Sequence, residues 1–149
     1  MPTAALVLYP EALATSVALP AEILHAAAQM SQSSRSRGIH ADIQLLGLTG
    51  DASITLDSGL RLALDGRFQD LDSCDLLILP AIWRHPRRVV RGASEWLPKV
   101  RELYERGSSI CSVGTASALL AETGLLDRRP ATTHWHDFDR FEHSYPKVL

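Results

Sequence analysis

"SSICSVGTASALLAETG", Ser108–Gly124, is the stretch that decides the fold. A short apolar strand ends at Val113 and runs through Gly114-Thr115-Ala116-Ser117 straight into a helix, which Gly124 closes. A strand-to-helix turn of this kind is where many α/β hydrolytic folds present a nucleophile. Here the turn carries Gly114. The stretch is either an active site or the shape of one with its chemistry removed.

Upstream, the same strand–helix alternation repeats. "AALVLY" (Ala4–Tyr9) and "CDLLILPAIW" (Cys74–Trp83) are continuous apolar runs, as expected of strands buried on both faces. "SVALPAEILHAAAQMSQ" follows the first of them. Its Val17, Ile23, Leu24, Ala27, Ala28 and Met30 fall near helical spacing, with Pro20 suited to a first turn. Residues 31–38 read as a polar exit loop, and "HADIQLLGLTG" (His40–Gly50) as a second strand. "ASITLDSGLRLALDGRF" alternates on both sides of Asp57-Ser58-Gly59, which predicts an inserted hairpin. "ASEWLPKVRELYERG" places Trp96, Leu97, Val100, Leu103 and Tyr104 on one helical face, with Gly107 as its C-cap. Beyond the turn, "PATTHW" reads as a further strand and "HDFDRFEHSY" as a last polar helix.

Strands alternating with helices predict an α/β fold with a mostly parallel sheet covered on both faces. Ligands of such sheets bind at the carboxyl ends of the strands, near a topological switch point. The rim positions are then Tyr9–Pro10, Pro80–Trp83 and Val113–Thr115. Ending at "YPKVL", the sequence reads as a fold cut short before its final strand and helix.

At 149 residues the chain suits one domain, and 46% hydrophobic with 21% charged residues is the balance of a globular protein. A formal net charge of -2 gives no general attraction to nucleic acid or anionic membranes. Cys74 and Cys111 form neither a CxxC pair nor a zinc-ligand spacing, which fits a reducing cytoplasm. No signal peptide and no membrane-spanning run is legible.

"DLLILPAIW", "SICSVGTASALLAETGLLDRRPATTHW" and "FDRFEHSYPKV" together resemble the ThiJ/PfpI superfamily, also described as class I glutamine amidotransferase-like. "LLAETGLLDRRPATTHW" and "LVLYPEALATSVALPAEILHAAAQ" resemble more closely the sensor domain at the N-terminus of AraC-family transcriptional regulators. The resemblance implies a flavodoxin-like three-layer sandwich over residues 1–149. It also implies a cysteine nucleophile at the elbow and an acidic partner four positions before the helix proline. Carried over, these fall on Gly114 and Ser16. A thiolate needs a group that lowers its pKa and orients it, and both groups are missing. The resemblance thus implies a non-catalytic sensing or dimerisation domain, with DNA bound by a separate C-terminal helix-turn-helix domain that this sequence does not contain. A small-molecule effector (an amino-acid or amine metabolite) and a second copy of the chain are the partners implied. A ThiJ/PfpI-type hydratase, glyoxalase-like enzyme or amidase is the alternative, and a ligand-free dimerisation module the third. In that last case Trp83 or Trp135 would fill the space beneath Gly114.

The expected ligand contacts are Ser16, Trp83, Gly114, Thr115, Ala116 and His134. Thr115 and Ser117 are placed to cap helix amides, which could instead receive a ligand oxygen. His134 falls where enzymatic relatives often have a pocket histidine; a histidine held by the backbone against Trp135 explains it equally. Trp83 stands where such relatives commonly carry glycine. Cys111 reads as a buried structural cysteine. "HWHDFD" (His134–Asp139) lacks the spaced second ligand group of a metal site, so neither metal nor cofactor is expected. "RHPRRVVR" (Arg84–Arg91) could touch DNA or an anionic ligand, or simply form a solvated loop and helix face.

Overall fold

The computed structural model describes residues 3–33 and 42–149. Five strands form one parallel sheet: β1 (Thr3–Leu8), β2 (Asp42–Gly47), β5 (Gly66–Arg67), β6 (Leu76–Leu79) and β7 (Ser109–Ser112). Their order is β5-β2-β1-β6-β7. The register sets Leu6 beside Leu45 on one side and beside Ile78 on the other. Strands β1 and β6 are central, which is why their sequences are apolar without alternation: Ala5, Leu6, Val7 and Leu8 have no exposed surface. Helix α1 (Thr15–Ser33) links β1 to β2 in one direction. Helices α2 (Pro86–Gly92) and α3 (Leu97–Glu105) link β6 to β7 in the other. Right-handed crossovers running in opposite directions put their helices on opposite faces, giving the three layers of a flavodoxin-like fold.

The hairpin is a separate two-stranded sheet, β3 (Ser53–Thr55) against antiparallel β4 (Arg61–Ala63). Gly59 takes a positive φ of 86° at its turn, and the Asp57 amide donates to the Pro10 carbonyl at 2.7 Å. Leu56 is buried. The hairpin thereby folds over the end of β1 instead of lengthening the main sheet. On the α3 face, Trp96 stacks on Tyr9 at 6.1 Å between ring centroids and meets Phe68 edge-on at 6.0 Å. These rings lie in the main core cluster with Val100 and Leu103.

Several sequence expectations need correction. Helix α1 begins at Thr15, so Pro20 lies inside it, and the Ser16 carbonyl loses its helical donor because proline has no N–H. Helix α1 also runs to Ser33, into the stretch read as a loop; residues 34–38 of that loop, with His40, lie outside the described residues. On the same helix Ile23 and Met30 point to solvent, whereas Val17 and Ala28 are buried. "PATTHW" forms no strand. Arg128 adopts a left-handed φ of 60° and Pro130 has no amide to give a ladder. Instead the Arg128 amide donates to the Lys147 carbonyl at 2.7 Å, and the Leu149 amide to the Arg129 carbonyl at 2.9 Å. Among the described residues no helix is long and apolar enough to cross a membrane.

Candidate functional site

The carboxyl ends of β1, β6 and β7 converge at the switch point between β1 and β6, and the protein fills that crevice with its own bonds. The Tyr9 hydroxyl, fully buried, donates to the Pro80 carbonyl. Burial, reinforced by the Glu11 carboxylate, pushes its pKa far above the ordinary tyrosine value. The segments leaving β1 and β6 then run side by side. The Leu13 amide donates to the Ala81 carbonyl and the Trp83 amide to the Glu11 carbonyl, both at 2.7 Å. An antiparallel bridge joins Ala12 and Ile82 between them.

Ser16 is part of this stitching. Its buried hydroxyl donates to the Leu13 carbonyl at 2.6 Å and accepts from the Ala81 amide at 2.9 Å. The position assigned to a catalytic acid thus holds a neutral group whose hydrogen bonds fasten the start of α1 to the loop after β6.

Gly114 keeps the backbone of an elbow. Val113 is extended (φ -100°, ψ 122°), and Gly114 turns to φ 51°, a region that costs an ordinary L-residue energy. A Cβ added there would touch only the Ala81 Cβ, at 3.8 Å, an ordinary contact. Neither tryptophan fills the space beneath it: Trp83 is 50% exposed, with the Arg84 guanidinium 5.9 Å over its ring, and Trp135 is 77% exposed. Ala116 is buried in the core.

Thr115 does not cap the helix. Its hydroxyl accepts from the Ile82 amide at 2.8 Å and donates to the Ile82 carbonyl at 3.0 Å. The Ser117 hydroxyl, expected as a cap, is buried without a partner among the described residues. His134 is exposed; its Nδ1 accepts from the His136 amide at 3.3 Å, and its ring lies 5.4 Å from that of Trp135. That arrangement is local. Cys111 is exposed, contrary to the expectation of a buried thiol; it lies on β7, the edge strand of the sheet, where exposed and half-buried residues alternate. No group of three or more metal-ligating side chains occurs among the described residues.

Open space lies beside the elbow. A cavity of about 830 Å³ separates α2 and α3 from α4 (Ser117–Glu122) and α5 (Phe138–Ser144). Thr115 and Ala118 form its floor next to the turn, Val90 and Leu97 one apolar wall, and Phe141 and Tyr145 the opposite one. Of the six expected contacts, Thr115 lines it; Ser16, Trp83, Gly114, Ala116 and His134 do not. The wall that α5 supplies has no signal in the sequence, whereas Arg87 and Arg91 on α2 belong to the basic run "RHPRRVVR", which the sequence offers as a contact for an anionic ligand, DNA or solvent. Along the α4–α5 side of the cavity the Tyr145 hydroxyl donates to Glu122 Oε2 at 3.0 Å, and burial together with that carboxylate raises the tyrosine pKa.

A parallel three-layer sheet, an elbow ending its edge strand and a cavity beside the elbow define the class. The chain belongs to the DJ-1/PfpI family, which it matches over residues 5–147. Among curated proteins it is 35% identical, over 112 residues, to the HTH-type transcriptional regulator CdhR of Pseudomonas aeruginosa. That match takes in 73% of this chain and 32% of the relative, so the chain spans about a third of the relative's length. Among solved structures it superimposes on a protein from Vibrio parahaemolyticus proposed to be a transcriptional regulator, with a TM-score of 0.84 and 19% identity over 99% of this chain and 74% of that one. An AraC family transcriptional regulator from Pseudomonas putida gives a TM-score of 0.68 at 16% identity, over 99% and 75%. At these identities the two structures establish the shared fold.

Proposed function

We propose that this chain is the ligand-sensing and dimerisation domain of an AraC-type transcriptional regulator, and that it binds its effector without transforming it. The observation that carries the reading is the elbow itself. Gly114 holds the left-handed turn at φ 51° with no side chain, and the Ser16 hydroxyl is committed to Leu13 and Ala81. The turn supplies neither a nucleophile nor a carboxylate to activate one. Similarity to a protein named as an HTH-type transcriptional regulator supports the regulatory half of the proposal. DNA binding is then the task of a separate helix-turn-helix domain, and the protein works in the cytoplasm, where the DNA is.

The effector, an amino-acid or amine metabolite, enters the cavity beside Thr115. Gly114 and Ala116 shape the turn that presents Thr115, and Ser16 fixes the facing loop. Trp83 and His134, both exposed and outside the cavity, are left to contact a partner from the solvent side. Dimerisation uses α1. Leu19, Ile23, Ala26 and Met30 follow the four-three-four spacing of a helix-packing seam, and Leu19, Ile23 and Met30 are 57%, 58% and 73% exposed. Two copies of such a seam are self-complementary across a two-fold axis.

A thermal-shift screen of amino-acid and amine metabolites tests the sensing role, because a ligand specific to the folded state raises its stability. At least one compound stabilises the chain in a concentration-dependent way if the proposal holds; a screen with no stabiliser leaves the dimerisation module in its place. Sedimentation of the L19E/I23E variant tests the seam, with a monomer expected where the parent chain is a dimer.

A further inference from the structure

We infer that the cavity between α2 and α5 selects a small carboxylate with an apolar body, held by Arg87 and Arg91. The inference rests on the sensing role proposed above and fixes the chemistry of its ligand.

The charges lining the cavity carry it. Four arginines (Arg87, Arg91, Arg101 and Arg140) face two acids, Glu122 and Asp137, so the lining is net positive by two in a chain whose net charge is -2. Most of these groups already have partners. Asp137 takes the Arg140 guanidinium at 3.1 Å, Arg101 is paired with Glu105 at 2.9 Å, and Glu122 accepts from Tyr145. Arg87 and Arg91 are different. Neither guanidinium has an ion pair or hydrogen bond with any described residue. Their neighbour Arg88 points elsewhere, to Glu11 at 3.3 Å.

Spacing of four places Arg87 and Arg91 on the same side of α2, where two guanidiniums can share one carboxylate. Beneath them Val90 and Leu97 offer apolar surface, and Phe141 closes the far wall. An anion alone would leave that surface wet, and an apolar molecule alone would leave both guanidiniums unanswered. A carboxylate carrying a hydrocarbon chain satisfies both. A cation meets two arginines without partners, and of the two acids Asp137 already faces Arg140, leaving Glu122 alone against a net-positive lining. Of the effectors proposed above, those with a carboxylate fit and a bare amine does not.

Calorimetric titration of the whole chain with hexanoate, hexanamide and hexylamine separates the possibilities. These probes have similar apolar bodies and carry negative, neutral and positive heads. Hexanoate binds most tightly, and the R87Q/R91Q variant, altered only at exposed side chains, weakens it at least about tenfold, the loss expected for charge-assisted hydrogen bonds. Equal binding of hexanamide, preference for hexylamine, or unchanged hexanoate affinity in the variant overturns the carboxylate assignment. In the first two cases the cavity remains a ligand site and the sensing role stands. If neither the three probes nor any metabolite of the screen binds, both fall together.

Discussion

Thr115 and Ile82 are joined twice by one hydroxyl, which accepts from the Ile82 amide at 2.8 Å and donates to its carbonyl at 3.0 Å. This pair locks the elbow after β7 to the loop after β6, on the floor of the cavity. Replacing Thr115 by valine keeps the shape and leaves two partly buried backbone groups unsatisfied. The expected cost is about 2 kcal/mol, read from urea unfolding; Thr115→Ser retains most of that stability. A valine variant as stable as the parent would show that the lock contributes nothing.

Gly114 is needed for its backbone. With the Ala81 Cβ at 3.8 Å from an added Cβ, Gly114→Ala meets no clash, so its cost is the left-handed conformation alone. That amounts to about 1–2 kcal/mol. A loss beyond about 4 kcal/mol would mean that the cavity side of the turn is more crowded than the geometry shows.

Tyr9 makes stability fall in alkali. Burial keeps its hydroxyl protonated in the folded state, while the unfolded chain ionises near the ordinary value of 10.0. A group whose folded pKa is raised contributes fully below the unfolded value and loses that contribution as pH rises above it. Unfolding free energy therefore declines above pH 10 by up to about 1.4 kcal/mol per pH unit from this residue. Tyr9→Phe removes its share of the slope and costs about 1–2 kcal/mol at neutral pH, because the Pro80 carbonyl loses its donor. An unchanged alkaline slope in the variant would place the effect in other groups.

The two cysteines differ in access. Cys111 is exposed on the edge strand; Cys74 is buried, its pKa raised chiefly by that burial. A thiol reagent titrates one group in the native protein and a second only on unfolding. Native labelling of both would contradict the packing of Cys74 beneath Ser108, whose hydroxyl donates to the Cys74 carbonyl at 2.6 Å.

Much of this architecture is legible in the sequence for a physical reason. Strands β1 and β6 are buried on both faces, so their runs are apolar without alternation and short enough for strands, and Asp57-Ser58-Gly59 between alternating residues marks a hairpin. The elbow is equally plain as a turn. The rest depends on what lies next to each segment in space. Cys111 has an apolar neighbourhood in sequence and solvent beside it in the fold, because strand order alone decides which strand is the edge. "PATTHW" has strand-forming residues, yet Arg128 and Pro130 break the ladder. The alanine-rich face of α1 hides which side is covered. The cavity is the least legible feature, since α2 and α5 supply opposite walls from segments some fifty residues apart. The basic run on α2 carried a signal for it, but its partners could not be read without the fold.

On the function proposed here, the elbow keeps a binding site and carries out no reaction. Saturation-transfer NMR on a defined mixture of metabolites, followed by a long incubation and a second spectrum, separates binding from turnover. Magnetisation transfers to at least one carboxylate-bearing compound, and the composition of the mixture is unchanged at the end. Consumption of any compound over many turnovers, abolished by heat denaturation of the chain, would contradict it.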